Sequence, residues 1–213
     1  MVDLRPAPAR REFRALAATA LVVAALSVMG CKDVPTWCLE ALPVFLVAPL
    51  AWAVAAPPSR LLGRAMFLHA LVLVVGAHWT YAEVPAGRVV AQWFGQERNP
   101  YDRLGHLMQG FTPAVFAKEW LLRTESVRPV ALASAVAVCF ALAFSALYEL
   151  FEWMVAVLMG QSSDAFLGTQ GFVWDTQADM LCALIGALCG SVLLARAHAS
   201  SLSRIRDELL QVS

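Results

Sequence analysis

The stretch Tyr148–Met180, YELFEWMVAVLMGQSSDAFLGTQGFVWDTQADM, decides the fold class of this chain. It holds five of the 16 acidic residues, inside or beside segments apolar enough to span a membrane: Glu149, Glu152, Asp164, Asp175 and Asp179. A carboxyl group near the centre of a bilayer costs about 2.5–3.5 kcal/mol on insertion scales, so such acids normally face a protein interior and mark a site. The stretch therefore predicts membrane helices that enclose a polar site.

The composition of the whole chain agrees with an integral membrane protein. Of its 213 residues 60% are hydrophobic and 15% are charged, and the mean hydropathy is +0.64, whereas soluble domains are about 45–50% apolar. The net charge is zero and no long basic run occurs, so we expect no nucleic-acid partner. The five cysteines form no CxxC pair, which leaves a zinc-finger or thioredoxin-type site unsupported. Cys31 and Cys38 flank one short loop and would bridge only if it faced an oxidising compartment.

The apolar runs predict an all-α polytopic bundle of about six transmembrane helices. We divide the chain into an N-terminal tail, residues 1–14, a single transmembrane domain, residues 15–195, and a C-terminal tail, residues 196–213. At about 1.5 Å per residue, five of the six runs are long enough to cross a hydrocarbon core of ~30 Å, and the first run covers about 24 Å. The predicted spans cover about 15–30, 37–56, 61–81, 100–123, 129–159 and 176–195.

The distribution of basic residues predicts the orientation of these spans. Most Arg and Lys residues lie in the N-terminal tail, the 57–64 loop, the 123–128 loop and the C-terminal tail, which all fall on one side of a six-span bundle. Short basic loops stay in the cytoplasm. Both termini are therefore predicted to be cytoplasmic, and the 160–174 loop, which contains no Lys or Arg, agrees. The 82–98 connection mixes apolar and charged residues and predicts a short interfacial helix.

Helical spacing groups polar residues on shared faces at the predicted non-cytoplasmic ends of the spans. Asp102, His106 and Gln109 are spaced i, i+4, i+7, and Glu149 and Glu152 lie on one face of the next span. We expect these residues to form one site that opens to the non-cytoplasmic side, and we expect His78 to be part of it. At the opposite end of the fourth span, Glu119 and Arg123 should form a surface pair. The candidate catalytic residues are Asp102, His106, Glu149, Glu152, Asp175 and Asp179, and the candidate ligand-binding residues are Gln109, Tyr148, Asp164, Gln170 and Gln177.

Three chemical interpretations and one structural interpretation of this site stay open. A His with several carboxylates on helices is typical of metal centres in bundles, and the candidate ligands of a divalent metal are His106, Glu149, Glu152 and Asp179. Against a di-iron centre, no ExxH pair occurs and one histidine is few. The site fits equally with metal-free acid–base catalysis, with binding of a sugar or peptide head group without chemistry, or with a polar network that only fixes helix packing.

Long motifs in the same region resemble a known family. The segments NPYDRLGHLMQGFTPA (99–114), KEWLLR (118–123), YELFEW (148–153) and DAFLGTQGFVWDTQADMLCALIGA (164–187) are similar to the YjdF-like family of bacterial inner-membrane proteins, a multi-pass domain of unknown function. The resemblance covers about residues 60–195. It implies the multi-pass inner-membrane architecture and a role for the acidic and His site, but no reaction. Phe172 stands where the family commonly has an acid, and Lys118 where it usually has Arg.

A more distant similarity is to VanZ-like proteins, which are associated with glycopeptide resistance. It consists of Asp102-Arg103-x-x-His106, Glu149-x-x-Glu152, and the acids before Gly186. Two residues depart from that pattern, since Glu152 replaces a Gln and Asp179 replaces an Asn. By analogy, the similarity implies an envelope or lipid-linked ligand. We therefore expect a bilayer-embedded protein that binds or handles such a ligand, with a metal-dependent hydrolase or oxidoreductase as the alternative.

Overall fold

A computed structural model describes residues 8–53, 56–159 and 170–210 of the chain, and no strand occurs within those ranges. The predicted all-α class is confirmed. A 3₁₀ turn, Tyr81–Glu83, and a π-helical turn, Cys189–Leu193, interrupt the α-helices. The helices are α1 (Pro8–Ser27), α2 (Val34–Val47), α3 (Leu50–Ala53), α4 (Arg60–Trp79), α5 (Pro85–Trp93), α6 (Tyr101–Arg123), α7 (Val130–Met159), α8 (Asp175–Leu188) and α9 (Ala195–Leu210).

Four helical segments are long and apolar enough to cross a membrane. They are Val34–Ala53, Arg60–Trp79, Val130–Leu158 and Asp175–Leu193. Helices α1 and α6, with 20 and 23 residues, have sufficient length, and both carry several charged side chains. The short helix expected in the 82–98 connection is present as α5.

Helix α7 shows which of its faces the bundle covers. Ala133, Ala137, Ala141 and Ser145 recur every four residues, and all four are completely buried. The opposite side exposes large apolar residues, among them Leu147, which is 65% exposed. In a membrane protein such a surface faces lipid, so the small-residue stripe of α7 is its contact with the rest of the bundle.

Helix α6 packs between α7 and α8, and its crossing with α8 is very close. A β-carbon on Gly110 would overlap the backbone of Ala183, and one on Gly186 would overlap the carbonyl group of Leu107. Gly190 packs against Val115 in the same way. This close approach at Gly186 and Gly190 brings the polar faces of α6 and α8 together.

Helices α6 and α8 both begin without a side-chain N-cap. Helix α6 begins at Tyr101, one residue after the predicted start of this span, and the Oδ1 atom of Asn99 accepts from the Tyr101 amide at 3.0 Å. Helix α8 begins at Asp175, so Thr176 lies inside the helix, and Asp179 is buried.

The predicted C-terminal tail is helical through Leu210 and packs on the bundle. The carboxylate of Glu208 accepts from the Arg60 guanidinium at 2.7 Å and from the Ala9 amide at 3.0 Å. The Oγ atom of Ser201 accepts from the Leu61 amide at 3.1 Å. Helix α9 is thus attached to the beginnings of α1 and α4.

Candidate functional site

The polar faces of three helices meet in one buried cluster. Helix α6 contributes Asp102 and His106, α7 contributes Glu149 and Glu152, and α8 contributes Asp179. Two groups of three residues each place one ligand-type atom per residue within 4.8 Å of the others: Asp102, His106 and Asp179, and His106, Glu149 and Glu152. His106 belongs to both groups, so it lies at the centre of what we call the acidic cluster. Asp102, predicted as a catalytic residue, thereby joins the candidate metal ligands.

The imidazole of His106 is oriented by Gln109 from the next turn of α6. Its Nδ1 atom lies 2.8 Å from the Oε1 atom of Gln109 and 3.7 Å from the Oε1 atom of Glu149. Its Nε2 atom lies 3.6 Å from the Oδ1 atom of Asp102. When Nδ1 donates its proton to Gln109, the lone pair of Nε2 is free to bind a cation. The spacing of these residues along α6 predicted this shared face.

Burial makes the carboxylates of the acidic cluster unusual. Asp102 is 6% exposed, Glu152 is 9% exposed and Asp179 is 2% exposed, and the side chain of Glu149 is 9% exposed. Within the described residues, the Oδ1 atom of Asp179 and the Oε1 atom of Glu149 accept no hydrogen bond. A buried carboxylate oxygen without a partner loses its hydration without compensation. These two oxygens therefore require a ligand or a proton.

An arginine and an aromatic ring lie against one end of the acidic cluster, near the starts of α6 and α8. Arg98 donates to the Oδ2 atom of Asp102 at 3.3 Å and also forms an ion pair with Asp175. The guanidinium carbons of Arg98 and Arg103 lie 5.3 and 5.6 Å from the centre of the Phe172 ring, a cation–π arrangement. Asp175, predicted as a candidate catalytic residue, is therefore paired with Arg98 and belongs to neither group of ligand-type atoms.

Glu40 on α2 reaches the cluster from a helix that the sequence analysis did not connect with it. Its side chain is 2% exposed, and its Oε2 atom accepts from the Tyr148 hydroxyl at 3.4 Å. The Tyr148 ring packs edge-on against His106, with 6.2 Å between ring centres. One signal could have found Glu40, since an acid inside an apolar span is costly wherever it occurs.

Several predicted site residues lie elsewhere. Gln170 pairs with the backbone of Asn99: its Oε1 atom accepts from the amide at 2.9 Å, and its Nε2 atom donates to the carbonyl oxygen at 3.0 Å. Gln170 therefore fixes the backbone just before α6. Gln177 is exposed on α8, and Asp164 lies outside the described residues. His78 does not join the cluster as expected, because its Nδ1 atom contacts the Ser27 carbonyl oxygen at 2.7 Å, at the end of α1.

A second buried polar network lies at the other end of α6, where only a surface pair was expected. Glu119 is 2% exposed and accepts from the Ser59 amide at 2.8 Å, from Arg123 at 3.1 Å and from His198 at 3.2 Å. Lys118, also 2% exposed, donates to the Ser191 carbonyl oxygen at 2.6 Å. The surface-pair prediction was wrong because α4 and α9 both cover this end of α6.

Comparisons with known proteins agree with the membrane architecture. Residues 13–200 match the family described as "Predicted membrane protein (DUF2238)". The chain is 49% identical over 178 residues to the "Inner membrane protein YjdF" of Escherichia coli strain K12, which covers 83% of this chain and 85% of that protein. No solved structure matches the chain.

Proposed function

The chain belongs to the DUF2238 family of predicted membrane proteins of the inner membrane, and we propose that its acidic cluster binds a divalent metal ion. The bound ion would serve to bind or handle an envelope or lipid-linked ligand from the non-cytoplasmic side. One observation carries the proposal. His106 is shared by two groups of ligand-type atoms, each within 4.8 Å, in a cluster that contains partnerless carboxylate oxygens.

The charges around His106 favour a cation. Six buried carboxyl groups lie in or against the cluster, whereas Arg98 and Arg103 are the cationic side chains that the described residues place at its entrance. Transfer of an unpaired carboxylate into a low-dielectric interior costs several kcal/mol. A divalent ion would offset this excess of negative charge and fill the coordination of the free oxygens. The six carboxyl groups are those of Glu40, Asp102, Glu149, Glu152, Asp175 and Asp179.

A comparison with the Glu119 network argues against a purely structural role. There, both carboxylate oxygens of Glu119 accept from protein donors, as buried acids normally do. In the acidic cluster, one oxygen of Asp179 and one of Glu149 have no donor among the described residues. The carboxylate of Glu119 is thus satisfied without a ligand, although Nδ1 of His198 has no partner among the described residues, whereas the carboxylates of Asp179 and Glu149 are not satisfied.

The donor set indicates the class of metal and what it would supply. Carboxylates with one imidazole suit Mg²⁺, Mn²⁺, Fe²⁺ or Zn²⁺ better than Cu⁺, which prefers sulfur ligands. Asp102, His106 and Asp179 form one group of residues that could hold the ion, and His106, Glu149 and Glu152 form the other. A metal ion in such a site polarises a phosphoryl or carbonyl oxygen or activates a water molecule. A metal-dependent hydrolase or oxidoreductase is therefore the alternative to ligand binding without turnover.

We further propose the six-span topology with both termini in the cytoplasm. Besides the four apolar segments, α1 and α6 have 20 and 23 residues, which correspond to about 30 Å or more of helix. The basic residues at the starts of α1 and α4 and in α9 support a cytoplasmic location of these ends. Fluorescent-protein and alkaline-phosphatase fusions to the C-terminus would check this, because a phosphatase-active fusion would contradict it.

Elemental analysis tests the proposed metal site. We expect the protein purified without chelators to contain near-stoichiometric metal, and the double variant His106→Ala/Glu149→Gln to lose it while keeping its helical circular dichroism. Glu97→Gln is the matched control, because Glu97 is an exposed acid in the connection before α6. Metal that persists in the folded double variant, or a metal-free parent that binds none on titration, would overturn the proposal. Thermal shifts with lipid-linked sugars and peptidoglycan fragments then identify the ligand.

A further inference from the structure

A cleft of about 500 Å³ lies between α4, α6 and α9, at the opposite end of the bundle from the acidic cluster. We propose that this cleft, here called the basic cleft, binds an anionic phospholipid of the cytoplasmic leaflet. The inference uses the orientation proposed above but not the metal site. The volume of the basic cleft falls within the range of about 300–1,000 Å³ that is typical of small-ligand sites.

Two helical stripes form the walls of the basic cleft. From α4 come Arg60, Arg64 and Leu68, spaced four residues apart, and from α9 come Ser201, Arg204 and others at spacings of three and four. Each stripe is therefore one continuous face of its helix. Because Glu208 and Ser201 fasten α9 to α4 by hydrogen bonds, the walls are fixed relative to each other.

The cleft carries an excess of positive charge at the end formed by the beginning of α4 and by α9. Three of its lining residues are arginines and one, Glu208, is an acid. Arg60 is held by Glu208 at 2.7 Å and by Glu12 at 3.4 Å, and Arg64 is held by Glu12 at 2.7 Å. Arg204 forms no ion pair within the part of the chain that the structure describes and donates only to the Ser200 hydroxyl at 3.3 Å. Arg204 is thus available to an anion, and Arg64 is 67% exposed beside it.

The opposite end of the cleft is apolar. Leu68 is 53% exposed, and Phe111 of α6 lines the cleft with a half-buried ring. Phe111 is twelve residues from the end of α6 at Arg123, a distance of about 18 Å along the helix. The cleft therefore extends from the basic end of the bundle toward the middle of the predicted membrane. A phospholipid has the same order, with a charged head group at one end and an apolar acyl chain at the other.

This order of charges and apolar surface decides between a lipid and a soluble anion. Basic pockets between membrane helices on the cytoplasmic side bind anionic head groups, and each Lys or Arg near such a surface strengthens binding about fivefold. A free phosphate would use the arginines but not Leu68 or Phe111. An anionic phospholipid uses both ends, so we assign the cleft to phosphatidylglycerol or a lipid of the same charge.

Lipid titration of the purified, delipidated protein in detergent tests this assignment. The ligands are phosphatidylglycerol, phosphatidylcholine and glycerol phosphate, and the readouts are native mass spectrometry and thermal unfolding. We expect phosphatidylglycerol to bind at least tenfold more tightly than phosphatidylcholine, and glycerol phosphate to bind weakly. Equal binding of both lipids would refute the role of the arginines, and equal binding of glycerol phosphate would refute a lipid occupant.

Matched variants locate the binding. In Arg64→Gln/Arg204→Gln, the preference for phosphatidylglycerol should fall by about tenfold or more, since each lost arginine weakens binding about fivefold. Arg206→Gln should change nothing, because Arg206 is an exposed residue of α9 that does not line the cleft. Should the double variant fail to fold, Arg204→Gln alone carries the test with an expected fivefold loss. An unchanged affinity in either folded variant overturns the proposal.

Discussion

The close crossing of α6 and α8 predicts opposite effects for one substitution at two glycines. A β-carbon on Gly186 would lie 2.9 Å from the carbonyl carbon of Leu107 and 3.0 Å from the amide nitrogen of Phe111. On Gly63, in α4, it would lie 3.4 Å from a ring carbon of Phe13, which is ordinary contact. We therefore expect Gly186→Ala to destabilise the protein and Gly63→Ala to leave it unchanged or more stable.

The magnitudes follow from the contacts. Carbon atoms in ordinary contact are about 3.5–4.0 Å apart, so α8 must shift by roughly 1 Å to admit the Gly186→Ala methyl group. Overpacking costs about 1–3 kcal/mol, and the upper part of this range applies because backbone atoms cannot rotate away. Replacing glycine by alanine within a helix contributes about 0.5–1 kcal/mol of stability, which offsets part of the overpacking cost. The net loss is about 2 kcal/mol, or a fall in Tm of about 4–8 °C for a chain of this size.

Thermal unfolding in detergent, followed by circular dichroism, measures both variants against the parent. Gly63→Ala should show a Tm equal to the parent's or up to about 4 °C higher, since it keeps only the helical gain. A Gly186→Ala protein that unfolds with the parent or with Gly63→Ala would refute the close crossing. Because Asp179 lies on the same helix, we also expect Gly186→Ala to retain less metal in elemental analysis.

Two further substitutions separate the polar networks. Glu119→Gln removes the charge that pairs with Arg123 and His198 and should cost about 3–5 kcal/mol, which thermal unfolding would show as a lower Tm. Glu125→Gln, a change at an exposed acid, should leave the Tm unchanged. Glu40→Gln keeps an acceptor for the Tyr148 hydroxyl, and Glu40 lies outside both ligand groups. Elemental analysis of this variant should therefore show the metal content of the parent. A loss of metal comparable to that of Glu149→Gln would contradict the placement of Glu40 outside the ligand groups.

The two ends of α6 illustrate how a single helix serves two different polar sites. At one end, His106 and Asp102 face acids of α7 and α8, and carboxylate oxygens remain without donors. At the other end, both oxygens of Glu119 accept hydrogen bonds, and Lys118 donates to the Ser191 carbonyl oxygen. Both ends are almost completely buried, so burial alone does not distinguish them. The difference is whether both oxygens of each buried carboxylate have a donor among the described residues.

The departure at Phe172 also has a structural account. The resemblance to the YjdF-like family implies that an acid is common at this position, and the ring that stands here instead lies against the guanidinium groups of Arg98 and Arg103. A cation–π contact contributes about 0.5–1 kcal/mol at an exposed site. It holds both arginines over the acidic cluster without adding another negative charge.

Local pattern in the sequence was sufficient for the class of fold and for the shared faces within each helix. The apolar runs predicted the helices, and the spacing of Asp102, His106 and Gln109 predicted one face of α6. The spacing of four residues between Gly186 and Gly190 is typical of a close helix crossing. These features depend on the repeat of a single helix, so they can be read from residues that are neighbours in the chain.

The tertiary structure alone decided which helices meet and which acids have partners. Glu40 contacts Tyr148, 108 residues away in the sequence, and Glu119 contacts His198, 79 residues away. His78 contacts the end of α1 and not the acidic cluster. No spacing within one helix encodes such contacts, because they depend on the order, tilt and rotation with which separate helices pack. Whether a buried acid is satisfied or left open for a ligand is therefore a property of the assembled bundle and not of any single span.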